Sequence, residues 1–568
     1  MVAEKNDPDF IYKEQAPRNQ EKKDLLSNPG VCLVADKYQM SHRAVTAFIG
    51  EVHKAQDEDL DDAKLSVMNS KRKRDTTRTD HGKKFLNNNL EKISGQGVLH
   101  WDGKIFKKMT HAGSSKERVA ILIDQNGEDV LLGVPIVEEG NAKVITSEIL
   151  NTLNKLQIEY SKIIGVVFDT TSVNSGYISG VVVNLEKEFG QSLLQLACRH
   201  HIAELVCGAA CTVVYGETES PKETSYVAFA EAWPDIIQDQ YELYNIKGRF
   251  LNNLKKEVLK FLQHFMDTES QSLLRDDYKE LVLLSILFLG GSRPEGIKFY
   301  APGAQHHARW MAAIIYTIKI SLFAKQLDDV FEKWFLDTAK ELATFLVLFY
   351  VKYWLCCTSA SDAAVLDLNF LQQLEKAKLI IKDHNFLKFI EASSEKLKQH
   401  LWYLSERLVP IAFFSSRVDN QQKSEMAKEL LSYEKVSGGT QDMPLPEEGM
   451  QFSSMKLKQF VGSDSWTFFT LMGVSPDFLH KPVSEWCNDA SYLQMQNFIK
   501  TLSVVNDSAE RALGMMTEFH VDRITRSEQQ RQHLLQVVKE MRLRQKNLLK
   551  HQNDERCTKA IIKKIKYD

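Results

Sequence analysis

Val98-Leu99-His100-Trp101-Asp102, followed by Gly103-Lys104, is a run of apolar residues that closes on one acid. It predicts a strand, Val98–Ile105, of apolar residues carrying one acid, Asp102. Working outward, Val119–Asp124 and Val130–Ile136 predict two further strands, and Asn126-Gly127 between them is a hairpin signal. A helix is expected from Thr146, with Ile149, Leu153 and Leu156 repeating at helical spacing. Ile163–Phe168 is rich in β-branched residues and predicts a buried strand that ends at Asp169, sixty-seven residues after Asp102. Residues 173–189 predict a helix closed by Gly190, and Ser192–Cys198 a last strand.

This β-β-β-α-β-α-β order, with acids on the first and fourth strands, is that of an RNase H-like domain. In such a sheet those two strands lie side by side, which would bring Asp102 and Asp169 together. A third acid, Glu510, stands just inside a helix start, N-D-S-A-E-R. Carboxylates carried strand, strand and helix are what two divalent ions roughly 3.5–4 Å apart require, and two-metal sites cut and join phosphodiesters. Read singly, each acid is more ordinary. Asp102 and Asp169 could be strand-end surface acids, and Glu510 a helix-dipole carboxylate behind an Asp507 or Ser508 cap.

Composition sets the frame. The chain has 568 residues, 43% hydrophobic and 26% charged, with a formal charge of −3. That length suggests several domains, and the near-neutral charge confines any nucleic-acid surface to local patches. The start is polar, with Glu4, Lys5 and Asp7, and predicts no signal peptide. Leu342–Cys357 is the most lipid-like run, but Lys352 interrupts it and it is shorter than the ~20 residues a bilayer needs. A buried helix is expected there. Eight scattered cysteines fit a reducing compartment.

Residues 1–30 are polar. Val34–Phe48 has the form of a helix-turn-helix, with Val34, Tyr38, Val45 and Phe48 packed inward, Ser41 as cap, and His42, Arg43 and Thr46 outward. An ordinary helical hairpin fits the same pattern. The acidic run Asp57–Asp62 and the basic run Lys71–Arg74 read as solvated linker, the basic one also as a phosphate contact or import signal. Residues 201–500 carry helical periodicity, as in Trp310–Lys325, Val330–Cys356 and Phe386–Leu408. Residues 521–568 hold 13 Lys and Arg against 6 Asp and Glu and predict a basic helical tail.

H-W-D-G-K around Asp102, F-D-T-T-S-V-N around Asp169, C-R-H-H at Cys198–His201, H-A-R-W at His307–Trp310 and S-A-E-R-A at Ser508–Ala512 follow one another in order. In this, from about residue 97 to 520, the chain resembles the hAT-superfamily DNA transposases. The resemblance implies an α/β plus all-α protein: an RNase H-like mixed-sheet catalytic domain interrupted by a large α-helical insertion, after a small helical N-terminal region. It implies that Asp102, Asp169 and Glu510 hold two Mg²⁺ or Mn²⁺ ions. His201 would approach the scissile phosphate, and Cys198 would be structural. Arg309 and Trp310 would handle flanking DNA, the Trp stacking on a flipped base, which is physically reasonable because aromatic stacking recovers part of the unstacking cost. Standing alone, Arg-Trp is equally a core Trp at a helix start.

The implied domains are 1–30, a flexible N-terminus; 31–96, helical with a charged linker; 97–204, the first part of the core; 205–500, the insertion; 501–520, the returning helix; and 521–568, the tail. A zinc site from Cys198, His201, Cys207 and Cys211 is disfavoured, since three of the four would lie on one helix. The family's N-terminal zinc finger has no counterpart, because Cys32 is the lone N-terminal cysteine. The expected function is metal-dependent cleavage and strand transfer at transposon ends. The expected partners are double-stranded DNA and further copies of the chain, with no membrane, in the nucleus. The alternative is a domesticated descendant that binds DNA or assembles without catalysis. A different RNase H-like nuclease fits less well, because of the insertion and the Arg-Trp motif.

Overall fold

The computed structural model describes residues 24–56, 65–106, 116–217, 224–268, 276–291, 299–302, 309–435, 438–439, 441–444, 450–518, 525 and 527–543. The strands are β1 (Gly97–Phe106), β2 (Lys116–Gln125), β3 (Glu128–Gly133), β4 (Ile136–Val137), β5 (Ile163–Phe168) and β6 (Leu194–Ala197). They form a mixed, open sheet in the order β3-β2-β1-β5-β6, with β4 on β2, and helices flank it. The chain divides into two compact units: Met1–Ile163 with Gly176–Leu185 and Asn506–Asp568, and Ile164–Ser175 with Glu186–Val505.

In the first unit β1, β2 and β3 form an antiparallel meander. Asp102 lies opposite Ala120, and His100 opposite Leu122. The β2–β3 turn has Asn126 at φ 55° and Gly127 at φ 79°. Both central residues are left-handed, the geometry that an Asn-Gly pair favours in a two-residue hairpin. The following helix, α4 (Ala142–Lys155), begins four residues before the expected Thr146, because the Asn141 side chain caps Val144 N.

Three helices precede the sheet: α1 (Pro29–Lys37), α2 (His42–Ala55) and α3 (Val67–Leu90). Ser41 caps α2 by accepting from Ala44 N at 3.1 Å, as the sequence predicts. Two of the expected inward residues are outside: Tyr38 is 62% and Phe48 60% exposed. Val45 is inside as expected, in a small core with Leu26, Ala35 and Ile49. The basic run is not linker but the first turns of α3, and part of it is internal. Arg74 and Arg78 are buried and converge on Asp36 of α1, which is fully buried. Arg78 grips it with two bonds of 2.7 Å, and Arg74 adds a third at 2.5 Å.

The tail is structural over 528–543, a helix whose Leu534, Leu535 and Val538 join the core beneath β2 and β3. Glu528 takes both Arg118 terminal nitrogens at 2.7 and 2.8 Å. Gln532 and Gln536 bond backbone atoms of Val134 and Leu131. Gln530 reaches Asp75 O and Thr79 Oγ1 on α3. Gly82 explains how closely α3 can approach, since a Cβ there would fall 2.7 Å from His533 backbone.

In the second unit β5 and β6 run parallel, buried throughout, with Gly165 opposite Leu194. The predicted helix over 173–189 is two pieces, α5 (Ser172–Ser175) and α6 (Val181–Phe189), separated at Gly176–Gly180, and α6 as far as Leu185 belongs to the first unit. Glycines at both ends of that break lower helix propensity. After β6 the helix α7 (Arg199–Tyr215) opens the all-α region. Leu342–Cys357 is buried protein interior, and among the described residues no helix is long and apolar enough to cross a membrane.

Two measurements probe this frame. Asp36→Ala should destabilise the N-terminal helices by about 3–5 kcal/mol, because buried Arg74 loses its carboxylate and buried Arg78 keeps only Asp75. The triple change Asp36→Leu, Arg74→Met, Arg78→Met should recover most of that loss. Denaturation that does not separate the two variants would deny the triad its role.

Asp124 gives a pH effect. Burial raises its carboxyl from 3.8 to about 6, against the Gly127 N–H it accepts. A raised folded-state value favours the protonated form, so stability is full below about pH 4 and declines as pH rises through about 6. Asp124→Asn keeps the acceptor without the charge. It should stabilise the protein at pH 8 by on the order of 1–3 kcal/mol and leave little difference at pH 4. Equal effects at both pH values would contradict the assignment.

Candidate functional site

Asp102 is half-buried on β1. Opposed residues of an antiparallel pair share a face. Asp102, His100, Ala120 and Leu122 therefore line one side of the sheet. Against that side packs the helix Asp507–Glu518, through Ala509, Ala512, Leu513 and Met516. Glu510, in its first turn, thus belongs to a helix on the face that carries Asp102.

Asn506, immediately before the helix, makes the junction. Its Nδ2 donates to Trp101 O at 2.6 Å, and its Oδ1 faces His100 Nδ1 at 3.2 Å. Because the amide nitrogen is committed to a carbonyl, Oδ1 is the acceptor and His100 carries its proton on Nδ1. Burial pushes the His100 imidazole down to about 4, so it is neutral at physiological pH. Its Nε2 is buried and has no hydrogen-bond partner among the described residues. Asn506 itself is buried, and Glu510 N donates to Asn506 O as the helix begins.

Asp169 lies one residue beyond β5, in the second unit. One carboxylate oxygen, Oδ1, accepts from Thr171 N at 3.3 Å, Thr171 Oγ1 at 2.7 Å and Asn174 Nδ2 at 2.5 Å. Three donors on one oxygen fix the carboxylate plane. Thr171 and Asn174 belong to the T-T-S-V-N run quoted above, and only the structure assigns them this orienting part. Asn506 was hidden in the same way, because N-D-S-A-E-R reads as a capping sequence.

Cys198 is buried at the end of β6, and its N–H donates to Phe168 O at 2.7 Å. His201 is half-buried in the first turn of α7, near His400. Arg199, between them, is fully buried on Asp367 at 2.5 Å, and Tyr353 Oη donates to the same carboxylate at 2.9 Å. Cys207 and Cys211 are buried with their sulfurs 3.9 Å apart. Arg309 and Trp310 begin the helix Arg309–Leu322, but their side chains lie outside the described residues. Arg43 is exposed in the first turn of α2, beside the half-buried His42 and Thr46.

Carboxylate oxygens suit Mg²⁺ or Mn²⁺. Among the described residues, however, no group of three or more His, Cys, Asp or Glu is placed to hold a metal ion. This applies to the three acids and equally to the set Cys198, His201, Cys207 and Cys211. The Asp102 strand and the helix that bears Glu510 share one face of the sheet.

Asn506→Ala should remove the donor to the Trp101 carbonyl and the acceptor of the His100 N–H. A loss of about 2–4 kcal/mol is expected from two such groups. Hydrogen exchange should accelerate across the helix Asp507–Glu518 before it does in α7. Unchanged protection of that helix would show that apolar packing alone holds it.

No protein-family model matches the chain, and no curated protein matches it.

Proposed function

We propose that this chain is a DNA transposase of hAT type, or an intact descendant of one, acting on double-stranded DNA as a homo-oligomer in the nucleus. The observation that carries the reading is the return of the chain. After some three hundred mostly helical residues, the helix bearing Glu510 packs on the sheet face that bears Asp102. An insertion between the last strand and an acid-bearing helix is what the RNase H-like reading of the sequence calls for.

In this proposal Asp102, Asp169 and Glu510 are the metal ligands. Bound Mg²⁺ or Mn²⁺ would activate water or a 3′-hydroxyl and stabilise the leaving oxygen. The protein's own contribution is positional. Asn506 holds the helix start against β1, while Thr171 and Asn174 hold the Asp169 carboxylate in one orientation. Exposed Arg43 is offered as a phosphate contact, and the roles of His201, Arg309 and Trp310 rest on the resemblance alone.

The test uses supercoiled plasmid and Mn²⁺ with the purified full chain. Wild type should nick the plasmid. Asp102→Asn, Asp169→Asn and Glu510→Gln should each abolish nicking while plasmid binding and the thermal midpoint stay near wild type. If wild type binds DNA with a steep salt dependence but never nicks it, the chain is the non-catalytic, DNA-binding form of the family. Variants that nick normally would remove the acids from the mechanism.

A further inference from the structure

The second unit contains a cavity that the acids do not use. Its wall starts at a π-helical turn, Leu346–Tyr350, between the α-helices Lys333–Phe345 and Val351–Leu355. All five residues of the turn are buried. A π turn widens the helix by one residue and weakens its bonding, and such turns concentrate at functional sites. Beside it opens a cavity of about 210 Å³, walled on its other side by the helix Ala363–Ile380 and edged by Arg417.

Three pairs of side chains give the cavity its character. Tyr353 and Phe370 form a stacked aromatic wall, with centroids 4.4 Å apart and planes within 10°. The wall is fixed, because Tyr353 Oη is tied to Asp367. Asn369 and Gln373 lie one turn apart on one helix face, and neither amide has a hydrogen-bond partner among the described residues. Lys352 and Arg417 supply the charge. Lys352 has no carboxylate partner among the described residues and sits 5.5 Å from the Phe261 ring. Arg417 gives Nε to Asp362 at 3.0 Å, and Nη2 lies 3.9 Å from Cys356 Sγ. Two cations against one carboxylate leave the edge with one net positive charge.

Each pair asks for something different of an occupant. The rings ask for a planar or apolar body. The paired amides ask for an edge with donors and acceptors side by side, as Asn and Gln read adenine. The cations ask for an anion, and arginine is suited to phosphate. A purely apolar guest would leave the amides and Lys352 desolvated without partners. A bare anion would not use the aromatic wall. We infer that this cavity binds a free purine nucleoside monophosphate, with the base against Tyr353 and Phe370, its edge on Asn369 and Gln373, and its phosphate on Lys352 and Arg417. The inference does not depend on the nuclease reading.

Calorimetric titration of the purified full chain with AMP and with GMP tests it. At least one should bind saturably, adenosine or guanosine more weakly, and inorganic phosphate not at all. Lys352→Met and Arg417→Gln should each lower affinity about tenfold or more, as expected for one lost charge-assisted hydrogen bond. Gln373→Ala should weaken AMP and GMP unequally, which a merely structural role would not do. Arg417 is exposed, so Arg417→Gln should keep the wild-type thermal midpoint. No saturable binding of either nucleotide overturns the inference, as does binding that these substitutions leave unchanged. Binding of a short oligo-dA strand that depends on Lys352, with none of AMP, would show a DNA strand as the occupant and reject the free nucleotide.

Discussion

An amide side chain joins two segments that are four hundred residues apart in sequence. Asn506 donates to the Trp101 carbonyl and accepts from His100, so the start of the helix Asp507–Glu518 is fixed against β1 at a defined register. The apolar contacts of Ala509, Ala512, Leu513 and Met516 with β2 and β3 are not directional. They would tolerate a helix shifted along the sheet. The two polar bonds would not, since a shift breaks both. Whatever Glu510 does, its distance along the strand from Asp102 is set here.

The same economy of buried polar groups recurs elsewhere. Asp36 with Arg74 and Arg78, and Arg199 with Asp367, are charge clusters taken wholly out of water. Each is expensive unless every charge finds its partner, and each therefore specifies one arrangement more than it adds stability. Arg118 with Glu528 does this at the surface of the first unit. Burial opposes the charge on Glu528, but the guanidinium and its neighbours hold the carboxyl down at about 2, so the pair stays ionised across the physiological range.

Much of the sheet was legible because strands advertise themselves locally. Ile163–Phe168 coincides with β5, and Asn126-Gly127 demanded its turn. Ser41 was readable as a cap because capping depends on residues three apart. What escaped were choices made by distant partners. Tyr38 and Phe48 look like core residues, yet the helices turn Ala35 and Ile49 inward beside Val45 and leave the aromatics outside. Arg74 reads as solvated until Asp36 is found opposite it, thirty-eight residues away. Charge counting over 521–568 hid the apolar stripe of Leu534, Leu535 and Val538, which helical spacing could have revealed. For the candidate site, the sequence proposes the acids but not the groups that hold them in place. Asn506, Thr171 and Asn174 are ordinary polar letters until the fold assigns their partners.

In the proposed site the Asp102 strand and the Glu510 helix would share a divalent ion. Fe²⁺ can take the place of Mg²⁺ at oxygen ligands; with hydrogen peroxide it gives hydroxyl radicals that cut nearby backbone, and ascorbate returns the Fe³⁺ formed to Fe²⁺. Mapping the fragments of the full chain should give two clusters of cuts, one around Asp102 and one around Glu510. Both should vanish together in Asp102→Asn and under excess Mg²⁺. Cuts at one segment without the other, or a pattern indifferent to Asp102→Asn, would contradict it.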